Sequence, residues 1–189
     1  AGRLGVAEVV RGGGGRSGAR RAGSVCKPRR SPDPDPAAIV ELMRAHPLAT
    51  LVSAAGSEPQ FTHLPLDVEE DGDGLRLLGH VARANPHWKS WAVGGAATAI
   101  FHGPDGYVSP SWYEEREAVP TWNYAVVHAR GRIAVTHDAD DKERILKVLI
   151  DRHDADYHRQ WDELGEDYRE KMKRGIVGLT IAVEQLHGK

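Results

Sequence analysis

Residues 48–81 read LATLVSAAGSEPQFTHLPLDVEEDGDGLRLLGHV, and Leu64, Leu66 and Val68 recur in them at every second position. A period of two lines one face of a strand, so strands are predicted at Leu48–Ser53, Gln60–Val68 and Leu75–Val81. Ala55-Gly56 and the DGDG run at 71–74 supply the turns between them. Connections this short favour antiparallel neighbours, because a parallel return needs a crossover of about a dozen residues or more.

Working outward, SPDPDP at 31–36 is a linker, and a helix follows from about 36 to 46. Asp35 caps that helix, Pro36 occupies its first turn, and Ile39, Val40, Leu42 and Met43 form its apolar stripe. In NPHWKSW, residues 85–91, Asn85 and Pro86 open a short helix that carries Trp88 and Trp91 on one face. Ala97–His102 and Tyr124–Thr136 are further strands, and Gly131 within the second predicts a bulge, a bend or a division in two. Asp138–Asp151 is a helix with acids in its first turn, and a second helical stretch at 155–173 breaks at Gly165. Ile176–Val183 returns to strand period. The pattern predicts a mainly β protein with helices (α+β), an antiparallel barrel or sheet with peripheral helices.

Charge divides the chain. Of 25 Lys+Arg and 27 Asp+Glu, residues 1–30 hold eight bases and one acid, or +7, which leaves 17 bases and 26 acids, or −9, for the rest. Residues 1–36 read as a basic, Gly/Arg-rich disordered arm and linker, and 37–189 as one domain with helices near 138–173. No apolar run reaches the roughly 18 to 20 residues of a membrane span, and no apolar stretch of the kind found in an export signal follows the basic start. One cysteine, Cys26, excludes an internal disulfide framework and a multi-Cys zinc site, which fits a cytoplasmic protein. The ten histidines include no HExxH motif, so no metal is expected.

The stretch GPDGYVSPSWYEEREAVPTWNY, residues 103–124, sets two tryptophans and three tyrosines among prolines and glycines. Two readings stand side by side: a loop that caps the core, or a wall of Trp112, Tyr113 and Trp122 for a planar heterocycle. Arg83, followed by Asn85 and the Pro86 helix, combines a guanidinium with free backbone N–H groups, an arrangement suited to an anion; a surface ion pair is the plainer reading. His63 and His80 on strands, and His102, His128 and His137, fit structural roles. Nucleophilic catalysis finds weak support: Ser109 and Ser111 lie near histidines in sequence, but no GxSxG elbow is present, and no catalytic residue is assigned.

THLP (62–65), GHVARANPHW (79–88), GPDGYVSPSWY (103–113) and VPTWNYAVVH (119–128), in this order and spacing, resemble the PaiB-type FMN-binding proteins, a family of negative transcriptional regulators. The resemblance covers about 37–189 and implies a flavin-reductase-like split β-barrel, a homodimer with FMN at the subunit interface. Carried over residue by residue, it implies that His63 and Leu64 lie on a strand beside the flavin, with His80, Arg83 and Asn85 near its phosphate. Tyr107, Ser109, Ser111, Trp112, Thr121, Trp122 and Asn123 then surround the ring system. Where family members carry a longer, lysine-containing insert, this chain has EEREA at 114–118, with three acids and Arg116.

The resemblance implies an FMN-binding repressor rather than an enzyme. The alternatives are an FMN-dependent oxidoreductase of flavin-reductase or haem-degrading type, and a cofactor-free dimeric interaction domain. A body at −9 repels a polyanion, so any DNA contact falls to the arm.

Overall fold

In the strand Gly95–Val108, Ala97, Ala99 and Phe101 are buried while Thr98, Ile100 and His102 turn to the other face. That alternation, repeated along neighbouring strands, gives a sheet with an apolar inner face that must curl around a core. The structure, a computed structural model, describes residues 8–10, 34–55, 58–72 and 74–189. Its elements in chain order are β1 Glu8–Val10, α1 Pro36–Ala45, β2 Leu48–Ala55, β3 Glu58–Pro65, β4 Asp67–Asp71, β5 Gly74–Ala82, α2 Trp88–Trp91, β6 Gly95–Val108, a 3-10 turn at Pro110–Trp112, β7 Thr121–Thr136, α3 Ala139–His153, α4 Tyr157–Glu163, α5 Glu166–Arg174 and β8 Ile176–Gly188.

All pairings are antiparallel, in the order β3-β2-β6-β7-β8-β5-β4, with β1 added to β8 through Glu8↔His187. The fold is therefore the split barrel expected, with its helices outside the sheet. The predicted strand at 60–68 divides at Leu66. Its N–H bonds Pro47 O at 2.9 Å, and the chain passes there from pairing with β2 to pairing with β5. Closure is tight at Gly79, where a Cβ would stand 2.8 Å from both Leu66 Cδ2 and Pro65 O. Gly131 marks a bulge: the β7–β8 register shifts between Arg130 and Gly131, and a Cβ there would sit 1.9 Å from Ala182 O.

The aromatic segment departs most from expectation. Prolines and glycines predict a loop over 103–124, yet β6 runs on to Val108 and β7 begins at Thr121, so the two form a long hairpin with a register shift between His102 and Asp105. Cross-strand pairing outweighs the weak strand propensity of Gly103, Pro104 and Gly106, because the bulge absorbs the mismatch.

Leu51, Leu66, Leu77, Trp91, Phe101, Leu179 and Ile181 fill the barrel, and Ile39 and Met43 of α1 close one end of it. Asp35 caps α1 by accepting from Ala37 N at 3.1 Å, as predicted. Asp138 caps α3, which lies over β5 and β8 with Ile145 packed above Gly178. Lys142 reaches from α3 to Lys173 O, 3.0 Å away, and Trp161 of α4 donates to Glu143 at 2.8 Å. Gly165 separates α4 from α5, where the sequence placed a break.

Glu8–Val10 lies inside the stretch read as a disordered arm and forms a strand; the rest of residues 1–33, with Cys26, falls outside the described residues. Among the described residues no helix is long and apolar enough to cross a membrane, and no group of three or more His, Cys, Asp or Glu could hold a metal ion.

Candidate functional site

The buried positions described in β2 and β3 are apolar except for Ser53 and Thr62, and both of these polar groups converge on His87. Ser53 Oγ lies 2.7 Å from His87 Nε2 and Thr62 Oγ1 lies 2.8 Å from Nδ1. Trp91 Nε1 donates to Ser53 Oγ at 3.0 Å, and the Trp91 and His87 rings are 4.4 Å apart. Asn85 locks the turn before α2: its Oδ1 accepts from His87 N at 2.9 Å and its Nδ2 donates to Thr62 Oγ1 at 3.2 Å. Burial holds the His87 pKa below the ordinary histidine value, so the ring is neutral at pH 7. Above this network a cleft of about 600 Å³ opens between β3 and the Asn85–His87 turn, lined by Gln60, Phe61, Thr62, His63, Asn85 and His87.

The predicted residues fall into separate places. His63 and Asn85 share the cleft. Leu64, next to His63, points inward and is 3% exposed, so it offers a ligand only its backbone. His80 is half-buried on β5; its Nδ1 is buried with no hydrogen-bond partner among the described residues, and burial lowers its pKa. Arg83 is held by the α5–β8 junction. Its Nε donates to Arg174 O at 2.7 Å, its Nη2 lies 3.5 Å from Ile176 O, and its backbone N–H bonds Gly175 O. Neither His80 nor Arg83 lines the β3 cleft.

The remaining residues sit on the β6–β7 hairpin. Tyr107 pairs with Trp122, their rings 6.0 Å apart, and Trp122 Nε1 donates to Asp105 Oδ1 at 3.0 Å. Thr121 pairs with Val108 and Asn123 with Gly106, both exposed. Ser109 Oγ accepts from Ser111 N and lies 2.7 Å from Ser111 Oγ, which shapes the 3-10 turn carrying Trp112. Trp112 is 70% exposed and Trp122 55%. The core-capping reading of these tryptophans therefore fails: among the described residues neither is buried against the core. Lys189 brings a cation to this group, its Nζ 4.3 Å from the Tyr124 ring centre, while its backbone pairs with Val126.

Sequence reading missed Ser53, Thr62, His87 and Lys189. The signal for the first two was a polar residue at an inward strand position; His87 stood inside the NPHW motif, masked by the helix expected there.

Residues 27–185 match the family described as "Putative FMN-binding domain". The chain is 33% identical over 152 residues to Protease synthase and sporulation protein PAI 2 of Bacillus subtilis, covering 78% of this chain and 72% of that one. It belongs to the PaiB-type FMN-binding family. Among solved structures, the flavocytochrome Anf3 of Azotobacter vinelandii shares the fold at a TM-score of 0.63 and 17% identity, with 82% of this chain aligned to 66% of that one, just under two thirds of its length. The FAD and heme binding protein of Mycobacterium smegmatis does so at 0.62 and 20%, over 82% and 70%.

Family membership assigns this chain a flavin cofactor such as FMN, and the residues present suit one. Exposed Trp112, Trp122 and Tyr107 offer flat faces to a ring system. Asn85, Ser109 and Ser111 offer amide and hydroxyl groups to a ribityl chain, and the Nη1 group of Arg83, outside its carbonyl contacts, offers charge to a phosphate. Bound there, a flavin supplies a redox-active ring that takes up electrons or hydride.

Proposed function

We propose that the protein is a cytoplasmic FMN-binding homodimer that acts as a negative regulator of transcription, with the flavin seated between the two copies. The observation that carries this reading is the outer face of the sheet. His63, Thr50, Ile100, His128 and His187 form one row straight across β3, β2, β6, β7 and β8. Phe61, Val52, Thr98, Arg130 and Gln185 form the next. Phe61 and Leu48 are each 61% exposed on this face. Exposed apolar side chains on a sheet face that otherwise carries histidines, threonines and Arg130 fit an interaction surface with a mixed apolar and polar lining. A second copy on it, related by a two-fold axis, also accounts for the division of the site residues between the β3 cleft and the aromatic hairpin.

The relative's name ties it to protease synthesis and sporulation, which supports a regulatory rather than a metabolic reading. The −9 body repels DNA, so contact with an operator falls to the +7 of residues 1–30.

An absorbance scan and light scattering on the purified full chain test the core of this. A yellow dimer is expected; a colourless monomer that ignores added FMN overturns it. Gel shifts with and without residues 1–36 test the DNA assignment, and equal binding by both proteins removes it. Bleaching of the flavin band by NADPH would favour the oxidoreductase.

A further inference from the structure

The hydrogen bonds under the β3 cleft have a direction. An indole N–H can only donate, so Ser53 Oγ accepts from Trp91 Nε1 at 3.0 Å. At the other end, the backbone N–H of His87 requires an oxygen opposite it, which fixes the Asn85 amide with Oδ1 toward His87 N. Its Nδ2 therefore donates to Thr62 Oγ1 at 3.2 Å. Between these ends stands His87, with Nε2 against Ser53 Oγ and Nδ1 against Thr62 Oγ1.

A neutral imidazole carries one N–H, so two arrangements remain. In the first, Ser53 donates to Nε2, Nδ1–H donates to Thr62, and the proton left over belongs to the Thr62 hydroxyl. In the second every arrow between them reverses, and the leftover proton belongs to Ser53. Both hydroxyls belong to buried residues, but only Thr62 lines the cleft, where water or a ligand can accept. A buried hydroxyl left without an acceptor is disfavoured by roughly fivefold or more, which favours the first arrangement.

The geometry points to a one-way relay, Trp91 to Ser53 to His87 to Thr62, that presents the Thr62 hydroxyl as a hydrogen-bond donor to a ligand oxygen in the β3 cleft. His87 is the positioning residue: it makes Thr62 a donor by occupying its acceptor side. The oxygen is an anionic or carbonyl acceptor. Resting on the flavin reading above, it belongs to FMN; a free oxyanion such as phosphate has the same chemistry and is separated from FMN by the test.

Nitrogen-15 long-range correlation spectra of the ligand-free, full chain read the tautomer directly. The proton is expected on Nδ1 of His87, and a proton on Nε2 overturns the relay. FMN is then titrated into the wild type, Thr62→Val and Thr62→Ser. The valine variant is expected to bind about tenfold more weakly, the serine variant to restore affinity, and both His87 nitrogens to shift as FMN binds. Wild-type affinity in Thr62→Val, or His87 nitrogens that ignore bound FMN, removes the donor role while leaving the flavin reading intact. If the wild type binds no FMN, the flavin reading falls and inorganic phosphate becomes the probe. Shifts at His87 in the wild type but not in Thr62→Val then support the donor, and no shift in either overturns it.

Discussion

Arg83 Nε donates to Arg174 O at 2.7 Å, so the arginine expected to hold a phosphate also holds the carbonyl end of α5. Cations are favoured at a helix C-terminus, and Arg83 N bonds Gly175 O in the same junction. Arg83→Ala should therefore lower the stability of flavin-free protein by about 0.5–1.5 kcal/mol, the range for an ordinary hydrogen bond, since the bond is exposed and water can replace it. It should also weaken FMN binding. Urea unfolding without flavin separates the two effects. An unchanged midpoint would show that the junction contact contributes nothing and that Arg83 serves a ligand alone.

Trp122 and Asp105 suggest a second substitution. The indole N–H holds the side chain against Asp105 while 55% of the residue stays exposed. Removing it leaves the core untouched, so Trp122→Ala should fold with near-normal stability yet lose flavin affinity by about tenfold. Trp122→Phe keeps a flat face without the N–H and should fall between. Equal affinity in all three, read by flavin fluorescence, would take the hairpin out of the site.

Fold class was legible because burial alternates. Leu64, Leu66 and Val68, and the stripe of α1, each obeyed a period that only one geometry satisfies. The hairpin was not, because its pairing partners lie from 13 residues apart (Val108↔Thr121) to 38 (Gly95↔Ile133) and its glycines and proline signal a loop locally. The site was legible in part. His63 and Asn85 share a cleft, whereas His87 looked like one helix residue among others: its importance comes from Ser53 and Thr62, which approach it only after β2 and β3 pair. Leu66 shows the same limit, since its partner switch depends on a bond to Pro47 O that no local pattern encodes.

The outer face gives a third prediction. Ile100 sits half-buried between Thr50 and His128 in the row that crosses the sheet. A charge there has little to disturb in one copy and much to disturb between two. Phe61→Asp and Ile100→Asp should yield folded monomers by light scattering with an unchanged far-UV spectrum, and flavin should be lost with the dimer. A persistent dimer in both variants would place the contact elsewhere.

Stability should depend on pH through the histidines. His80, His87 and His128 all have pKa values held below the ordinary histidine value, each chiefly by burial, and His128 further by His187 and His102. Unfolded histidine binds its proton near pH 6.5, before these folded ones do. Where the unfolded state holds more protons, stability rises with pH. Their contribution is thus fully present above about pH 6.5 and is lost as pH falls through that value toward the lower folded ones. Asp67 acts oppositely. Burial raises its pKa against the pull of His153 and Arg152, 3.3 and 3.4 Å away, so its contribution is greatest in acid and is lost as pH rises through its folded value. Urea midpoints should therefore fall between pH 7.5 and 5.5, and His128→Gln should flatten that fall by removing one of the three groups. Asp67→Asn should remove the loss of stability that the carboxylate brings as pH rises, so its effect relative to the wild type should be more favourable at neutral pH than in acid. A midpoint that is flat across the range in the wild type would mean that the three rings take up protons as easily in the fold as out of it.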